Sequence, residues 1–236
     1  MKTGLYLIPT TLGSFDTVNQ VLPDNNNQIT HQIKFFIVEQ IRTARRFLKK
    51  INHPVEIDDM TFYELNKHTD KNMISHYLDA AKEGESLGLI SEAGTPCVAD
   101  PGSVIVRMAH ERGIDVFPLV GPNSIILSLM ASGFNGQSFA FNGYLPLDKG
   151  QRAKKIQQLE ALAYRNNQTQ IFIETPYRNS VLLDALITHC KPSTMICVAS
   201  NLTLDDQYVK AMSRTQWAKE KVALKKKPTI FLVSKP

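Results

Sequence analysis

The densest concentration of chemistry-bearing residues is Ser91-Glu92-Ala93-Gly94-Thr95-Pro96-Cys97-Val98-Ala99-Asp100-Pro101-Gly102. An apolar run, Leu87–Ile90, precedes it and an amphipathic stretch follows. In open α/β sheets that is where ligands bind, beyond the carboxyl ends of strands. Gly94 lets backbone approach a ligand closely, and Pro96 and Pro101 stiffen the loop. Asp100 ahead of Pro101 reads as a helix cap with proline in the first turn. Ile8-Pro9-Thr10-Thr11-Leu12-Gly13 and Gly121-Pro122-Asn123-Ser124 close two further apolar runs in the same way, Ser124 being equally suited to a plain capping role. There is no Gly-x-Gly-x-x-Gly and no Walker-type lysine, so dinucleotide and phosphate-loop chemistry lose their main support.

The ionisable candidates are few. Glu39 ends the apolar run Phe35–Val38, Glu174 ends Gln170–Ile173, and His68 sits in the polar stretch Glu64-Leu65-Asn66-Lys67-His68. Any of the three could remove a proton, and His68 is equally readable as a surface histidine. Arg42, Arg45, Arg46, Lys49 and Lys50 fall on the polar side of a helical pattern, where they suit phosphate contacts or form a solvated basic face. Arg178, following Glu174, offers another anion contact.

These groups need a scaffold, and the hydropathy pattern supplies one. Short apolar runs at Leu5–Ile8, Phe35–Val38, Leu87–Ile90, Val116–Leu119, Phe139–Phe141, Gln170–Ile173, Met195–Ala199 and Thr229–Val233 read as strands. Helical faces lie between them: Ile41, Ala44, Leu48 and Ile51; Met73, Ile74, Tyr77, Leu78 and Ala81; Val104, Ile105, Met108 and Ala109; Ile156, Leu159 and Leu162. Alternation of strand and helix predicts α/β layering with a largely parallel sheet. The turn Leu119-Val120-Gly121-Pro122-Asn123 is the expected junction, giving one half over residues 1–120 and another over 121–236. After Gln207 the residues Tyr208–Ser213 alternate as a strand without a long helix to follow, and antiparallel pairing with the last strand would make the second sheet mixed.

The bulk numbers bound the class. With 236 residues, 43% hydrophobic and 21% charged, the chain has material for a full core and is not a disordered segment. No apolar run reaches spanning length, and the opening apolar run is shorter than a signal-peptide core, so a cytoplasmic location is the default expectation. Cys97, Cys190 and Cys197 have no paired metal spacing and read as buried thiols in a reducing compartment; no metal is expected. The net charge of +5 is uneven: Lys34 to Lys50 hold six Lys/Arg against one Glu, and Asn201 to Pro236 eight against three acids. Two basic regions on an otherwise acidic chain suit an anionic partner, nucleic acid or a small polycarboxylate, with a solvated face as the plain alternative.

SEAGTPCVADPG resembles the segment S-[DE]-A-G-T-P-x-x-x-D-P-G of the ribosomal RNA small subunit methyltransferase I branch of the tetrapyrrole methylases. In the same order, LYLIPTTLGSF resembles that family's opening strand and turn, VEQIRTARRFLKKI its A-E-D-T-R-x-T-x-x-L-L, FPLVGPNSIILSLMASGF its Gly-Pro-Ser-Ala helix, FAFNGYLP its F-x-x-x-G-F-L-P and IFIETPYR its second-domain strand. Departures are local: Glu39-Gln40-Ile41-Arg42 for Glu-Asp-Thr-Arg, Ser200-Asn201-Leu202-Thr203 for Arg-Glu-Leu-Thr, Lys226-Lys227-Pro228 for Lys-Gly-Glu, and Glu64-Leu65-Asn66-Lys67-His68 for a His- and Asn-rich stretch.

The resemblance implies two α/β domains of tetrapyrrole-methylase type, the first mostly parallel and the second mixed, with S-adenosylmethionine in the cleft between them and usually a homodimer. Carried over position by position, it implies cofactor contacts from Leu12, Gly94, Thr95, Val98, Ser124, Ile125, Thr175, Ala199 and Thr229. It also makes Glu39 the preferred catalytic base, and directs Arg42, Arg45, Arg46, His68 and Arg178 toward substrate. The implied acceptor is ribosomal RNA or the small ribosomal subunit, at a ribose 2′-hydroxyl. Methylation of a small anion such as a tetrapyrrole, and RNA binding without cofactor, are the alternatives.

Overall fold

The computed structural model describes the backbone of all 236 residues and every side chain except that of Lys71. The chain divides into two compact units, Met1–Asn123 and Ser124–Pro236.

In the first unit the elements are β1 (Leu5–Ile8), α1 (Val18–Val21), α2 (Asp24–Thr30), β2 (Phe35–Val38), α3 (Ile41–Lys50), β3 (Thr61–Glu64), α4 (Lys71–Ile74), β4 (Leu87–Ile90), α5 (Ser103–Glu111) and β5 (Val116–Pro118). The strands form one parallel sheet in the order β3-β2-β4-β1-β5. β4 is buried at all four residues, as a strand covered on both faces must be. Helix α3 buries Ala44, Phe47 and Leu48 toward the sheet, and the left-handed Asn52 (φ 53°) follows its end. Because all five strands run the same way, the loops after β1, β2, β3, β4 and β5 gather at a single edge.

The second unit comprises α6 (Ser124–Ser132), β6 (Phe139–Tyr144), α7 (Lys149–Asn166), β7 (Thr169–Ile173), α8 (Asn179–His189), β8 (Met195–Ser200), β9 (Tyr208–Ser213), α9 (Arg214–Trp217) and β10 (Thr229–Ser234). Its sheet is mixed, in the order β6-β7-β10-β8-β9, with only β6 and β7 parallel. Asp148 caps α7 by accepting from the Gln151 amide at 2.8 Å, and the left-handed Asn167 (φ 48°) ends it. Trp217 is fully buried in the core cluster that also holds Phe172, Phe231 and Ile196, donating its indole N–H to the Ile196 carbonyl at 2.8 Å.

Two expectations are corrected and one strand goes unread in the sequence. The strand Tyr208–Ser213 pairs antiparallel with β8, not with the last strand. β10 lies between β7 and β8 because every one of its residues is buried, whereas β9 is half-exposed throughout and suits an edge. The face Met73, Ile74, Tyr77, Leu78 and Ala81 is not one helix: α4 stops at Ile74 and a separate 3-10 turn covers Asp79–Glu83. Arg112 Nη2 takes the Ser75 carbonyl at 2.6 Å and the Tyr77 hydroxyl donates to the Glu64 carbonyl at 2.6 Å, which draws the chain out of helical register; Met73 is left exposed. The strand β3 carries the mixed run Thr-Phe-Tyr-Glu and escaped a search for apolar runs, because an edge strand needs only one partner.

Trp217→Ala should destabilise the second unit by about 3–5 kcal/mol, the usual cost of truncating a large buried aromatic. Urea unfolding followed by circular dichroism measures it as a lower midpoint.

Candidate active site

At the gathered edge of the first sheet, the loops after β1, β4 and β5 are locked together by backbone. The Thr10 amide donates to the Gly94 carbonyl at 3.0 Å, and the Gly94 amide donates back to the Thr11 carbonyl at 3.2 Å. Ser91 Oγ also donates to the Gly94 carbonyl, and Thr10 Oγ1 donates to the Ser91 carbonyl at 3.2 Å. Gly94 has φ 72°, and a Cβ there would lie 2.8 Å from Leu12 Cδ2 and 2.9 Å from the Pro122 carbonyl oxygen. Only glycine meets both demands. Gly121 is as constrained by space, since a Cβ would sit 2.3 Å from Pro9 Cβ. Asn123 Nδ2 then donates to Thr95 Oγ1 at 2.6 Å.

Beyond Thr95 the loop is strained. Cys97 (φ 67°) and Ala99 (φ 58°) both occupy left-handed backbone without being glycine. Asp100 holds them there: one carboxylate oxygen accepts from the Cys97 amide at 3.2 Å and from the Gly102 amide at 2.7 Å. This corrects the expected role of Asp100, because α5 begins only at Ser103 with Gly102 at its cap position. The loop turns Val98 outward, 47% exposed between its two strained neighbours.

A cavity of about 590 Å³ opens at the same edge, lined by Glu39, Gln40, Glu64, Asn66, Lys67, His68, Glu92 and Pro101. It brings Glu39 and His68, sequence candidates from two different loops, to one rim. The His68 amide is fixed by Asn66 Oδ1 at 2.8 Å while its ring side is exposed. Partial loss of water and the charges of Glu92 and Asp100 push the Glu39 carboxyl above the usual carboxylate range. Glu92 is raised chiefly by burial and further by Asp100, although hydrogen bonds from Thr43 and the Gln40 backbone oppose the shift. Sequence reading overlooked Glu92; its signal was its place one residue past Ser91, in the loop already singled out.

Arg42, Arg45 and Arg46 lie together on the exposed face of α3 and line a recess distinct from the acid-lined cavity. The Arg45 guanidinium lies 5.4 Å from the Phe62 ring centroid and that of Arg46 5.8 Å from Phe15.

In the second unit, Thr175, Ala199 and Thr229 come to one edge of the sheet, because β7 and β8 run alike and β10 starts where they end. The register pairs Ala199 with Ile230, and Ile230 with Ile173. Thr175 is exposed, whereas Ala199 and Thr229 are buried. The Thr229 hydroxyl donates to Ser200 Oγ at 3.0 Å or to the Lys227 carbonyl at 2.9 Å, and accepts from Asn179 Nδ2 at 3.1 Å. Its hydroxyl is thus committed to the fold. Ser124 opens α6, which packs against β8, β9 and β10 with Ile125 buried. Arg178 and Glu174 pair with each other at 3.0 Å, the glutamate almost fully buried and also accepting from the Thr175 amide at 2.7 Å. The pair shapes the turn at Thr175, which leaves Glu174 no freedom as a base and gives Arg178 a partner of its own.

Comparison with known proteins meets this geometry at the level of the whole chain. A family described as Tetrapyrrole (Corrin/Porphyrin) Methylases matches residues 32–217. The chain belongs to the tetrapyrrole methylases. It is therefore a methyltransferase. A relative from Vibrio cholerae, Ribosomal RNA small subunit methyltransferase I, is 28% identical over 232 residues, covering 97% of this chain and 76% of that protein. The protein of the same name from Bacillus subtilis is 33% identical over 184 residues, covering 77% of this chain but 58% of its own length. Among solved structures, the methyltransferase CobJ superposes with a TM-score of 0.64 over 99% of this chain and 95% of its own, at 17% identity, which establishes the shared fold. Among the described residues no helix is long and apolar enough to cross a membrane.

The raised Glu39 pKa carries a stability signature with a definite sign. A carboxyl that ionises less readily in the fold contributes stability that is complete below its unfolded-state pKa and is lost as pH rises through the folded-state value. Glu39→Gln stays neutral throughout. Its melting temperature should therefore gain on the native protein as pH rises from about 4, as followed by thermal melts at increasing pH.

Proposed function

We propose that this chain methylates ribosomal RNA at a ribose 2′-hydroxyl, using S-adenosylmethionine. The observation that carries the reading is the agreement between relatives named for ribosomal RNA methylation and a unit that sets an acid-lined cavity beside an arginine-rich helix. Homodimeric assembly and a cytoplasmic location belong to the same reading.

The first unit's loops suit the cofactor's methionine end. Gly94 fixes the turn that presents Thr95, Thr95 is oriented by Asn123, and Leu12 and the outward Val98 offer apolar contact. In the second unit, Thr175 would meet the adenosine side from an exposed turn, with Ala199 and Thr229 forming its floor and Ser124 and Ile125 contributing from the start of α6. Most of these contacts are backbone or apolar, so the site relies on shape more than on charge. The cofactor, when bound, supplies a methyl group already activated by its sulfonium.

The chain's own contribution is positioning and proton removal. Glu39 is the proposed base, since a carboxyl above its usual range binds the departing hydroxyl proton better than an ordinary surface glutamate. His68 on the same rim would orient the ribose. Arg42, Arg45 and Arg46 would hold the flanking phosphates, and Arg178 would act through the Thr175 turn.

Transfer of tritium from labelled S-adenosylmethionine to small ribosomal subunits lacking the modification tests the reading. Label in the RNA, released with a 2′-O-methylnucleoside, is the expected outcome. Label found only on a small polycarboxylate such as a tetrapyrrole would replace the substrate, and no cofactor binding by calorimetry would leave RNA binding alone. In the same assay Glu39→Gln should lower kcat by roughly 10²–10⁴-fold with KM for RNA little changed. Gly94→Ala should weaken cofactor binding by roughly tenfold or more, since its Cβ cannot enter without displacing Leu12 or Pro122.

A further inference from the structure

Helix α3 carries more cationic machinery than three arginines near a substrate require. Arg42, Arg45, Arg46, Lys49 and Lys50 are all exposed along ten residues of helix. Two recesses flank them. One, about 420 Å³, lies between α3 and Glu56-Ile57-Asp58; the other, about 380 Å³, lies between α3 and Ser14-Phe15-Asp16. Arg46 and Lys49 line both, so the two recesses meet across the helix as one band.

The band is organised beyond what a solvated face needs. Arg45 is braced on Phe62 and Arg46 on Phe15, one on each side, which reduces the side-chain freedom that binding would otherwise remove. Among the described residues, ion pairs engage only two of the five cations: Arg45 with Asp58 at 4.0 Å, and Lys50 with Asp16 at 2.7 Å. The second is the tighter. Asp16 also accepts from Ser14 Oγ at 2.8 Å, and these two hydrogen bonds hold its carboxyl below the usual carboxylate range. Asp16 thus sets its carboxylate against the lysine at the far end of the band.

We infer that the α3 band is a track for the RNA backbone, in which Arg45, Arg46 and Lys49 take successive phosphates and Asp16 stands in for a phosphate on Lys50 until the strand displaces it. The inference rests on the reading of RNA as substrate and extends it to Lys49, Lys50 and Asp16, none of which lines the acid cavity. The displaced carboxylate lowers affinity for short or misplaced strands and leaves full engagement to RNA that reaches the end of the band.

The test is a salt series with a fluorescein-labelled single-stranded RNA of about 20 nucleotides and the full chain. For single strands log K falls with log salt by about 0.7 per phosphate engaged. Arg46→Ala/Lys49→Ala should flatten the slope by about 1.4 and weaken binding at least tenfold at about 0.15 M salt. Asp16→Asn should tighten binding several-fold with the slope little changed, because the strand no longer has to displace a carboxylate from Lys50. Circular dichroism melts check that these exposed substitutions leave the fold intact. Slopes unchanged by the double variant, or Asp16→Asn binding more weakly than the native protein, would overturn the track even while RNA methylation proceeds. Failure of the native protein to bind or methylate any RNA would instead remove the substrate reading, and the track with it. Vesicles of phosphatidylserine and phosphatidylcholine form a third arm; tighter binding to them than to RNA, lost in the double variant, would reassign the band to a membrane surface and overturn the proposal.

Discussion

The first unit's site depends on a backbone exchange between Thr10, Thr11 and Gly94, in which the β1 loop and the β4 loop donate to each other. Parallel strands place their ends together but do not fix the loops beyond them, since each strand ends in free backbone groups that must find partners or water. Here the two loops satisfy each other. The exchange requires a left-handed residue with no side chain at position 94, because Leu12 and the Pro122 carbonyl fill the space a Cβ would enter. Once Gly94 is set, Thr95 reaches Asn123, and strain at Cys97 and Ala99 can be held by Asp100. A rigid base under a strained tip is the physical meaning of the conspicuous SEAGTPCVADPG segment.

That segment was legible because glycine and proline report backbone requirements directly, and so were all eight apolar runs read as strands, seven matching the observed strands within one residue at each end and Phe139–Phe141 running on to Tyr144. What escaped the sequence was pairing. Tyr208–Ser213 announced itself as a strand, yet only the complete burial of Thr229–Ser234 decides which of the two occupies the middle of the sheet. The helix read through Met73 to Ala81 failed for a related reason: the Ser75 carbonyl is claimed by Arg112, 37 residues away, and no local pattern records that. Site electrostatics were the least legible. Glu39 was visible as an acid at a strand end, but its raised pKa comes first from partial burial and then from Glu92 and Asp100, which arrive from another strand's loop.

Charge in the first unit is sorted over a short distance along the chain. Glu39 precedes α3 and faces the acid-lined cavity, while Arg42, three residues on, already belongs to the cationic recess. The helix start turns the chain between two electrostatic environments. For a polyanionic substrate this separation is useful. Carboxylates crowded at the cavity repel phosphates from the place where a hydroxyl must sit, while the neighbouring cations attract them. An acid cluster with a raised pKa costs stability near neutral pH, and such a cost is tolerated where function needs the proton affinity it creates. Ion pairs cannot dissolve the cluster, since no cation lies within salt-bridge distance of Glu39 or Glu92 among the described residues.

The departures from the family's usual segments gain coherence in the second unit. Asn201 stands where the resemblance expects Glu, and Lys227 where it expects Gly. Asn201 Nδ2 reaches both oxygens of Asp206, at 2.9 and 2.8 Å, and Lys227 pairs with the same carboxylate at 2.9 Å. The left-handed Asn201 (φ 49°) also donates its amide to the Pro228 carbonyl at 3.0 Å, tying the loop after β8 to the approach to β10. Two substitutions distant in sequence therefore form a single arrangement centred on Asp206. A glutamate at position 201 would set a second carboxylate against Asp206, and a glycine at 227 would remove the ammonium that balances it. Asn201 and Lys227 are physically coupled through one acid, so each makes sense only with the other, and together they brace the edge where Ala199 and Thr229 lie.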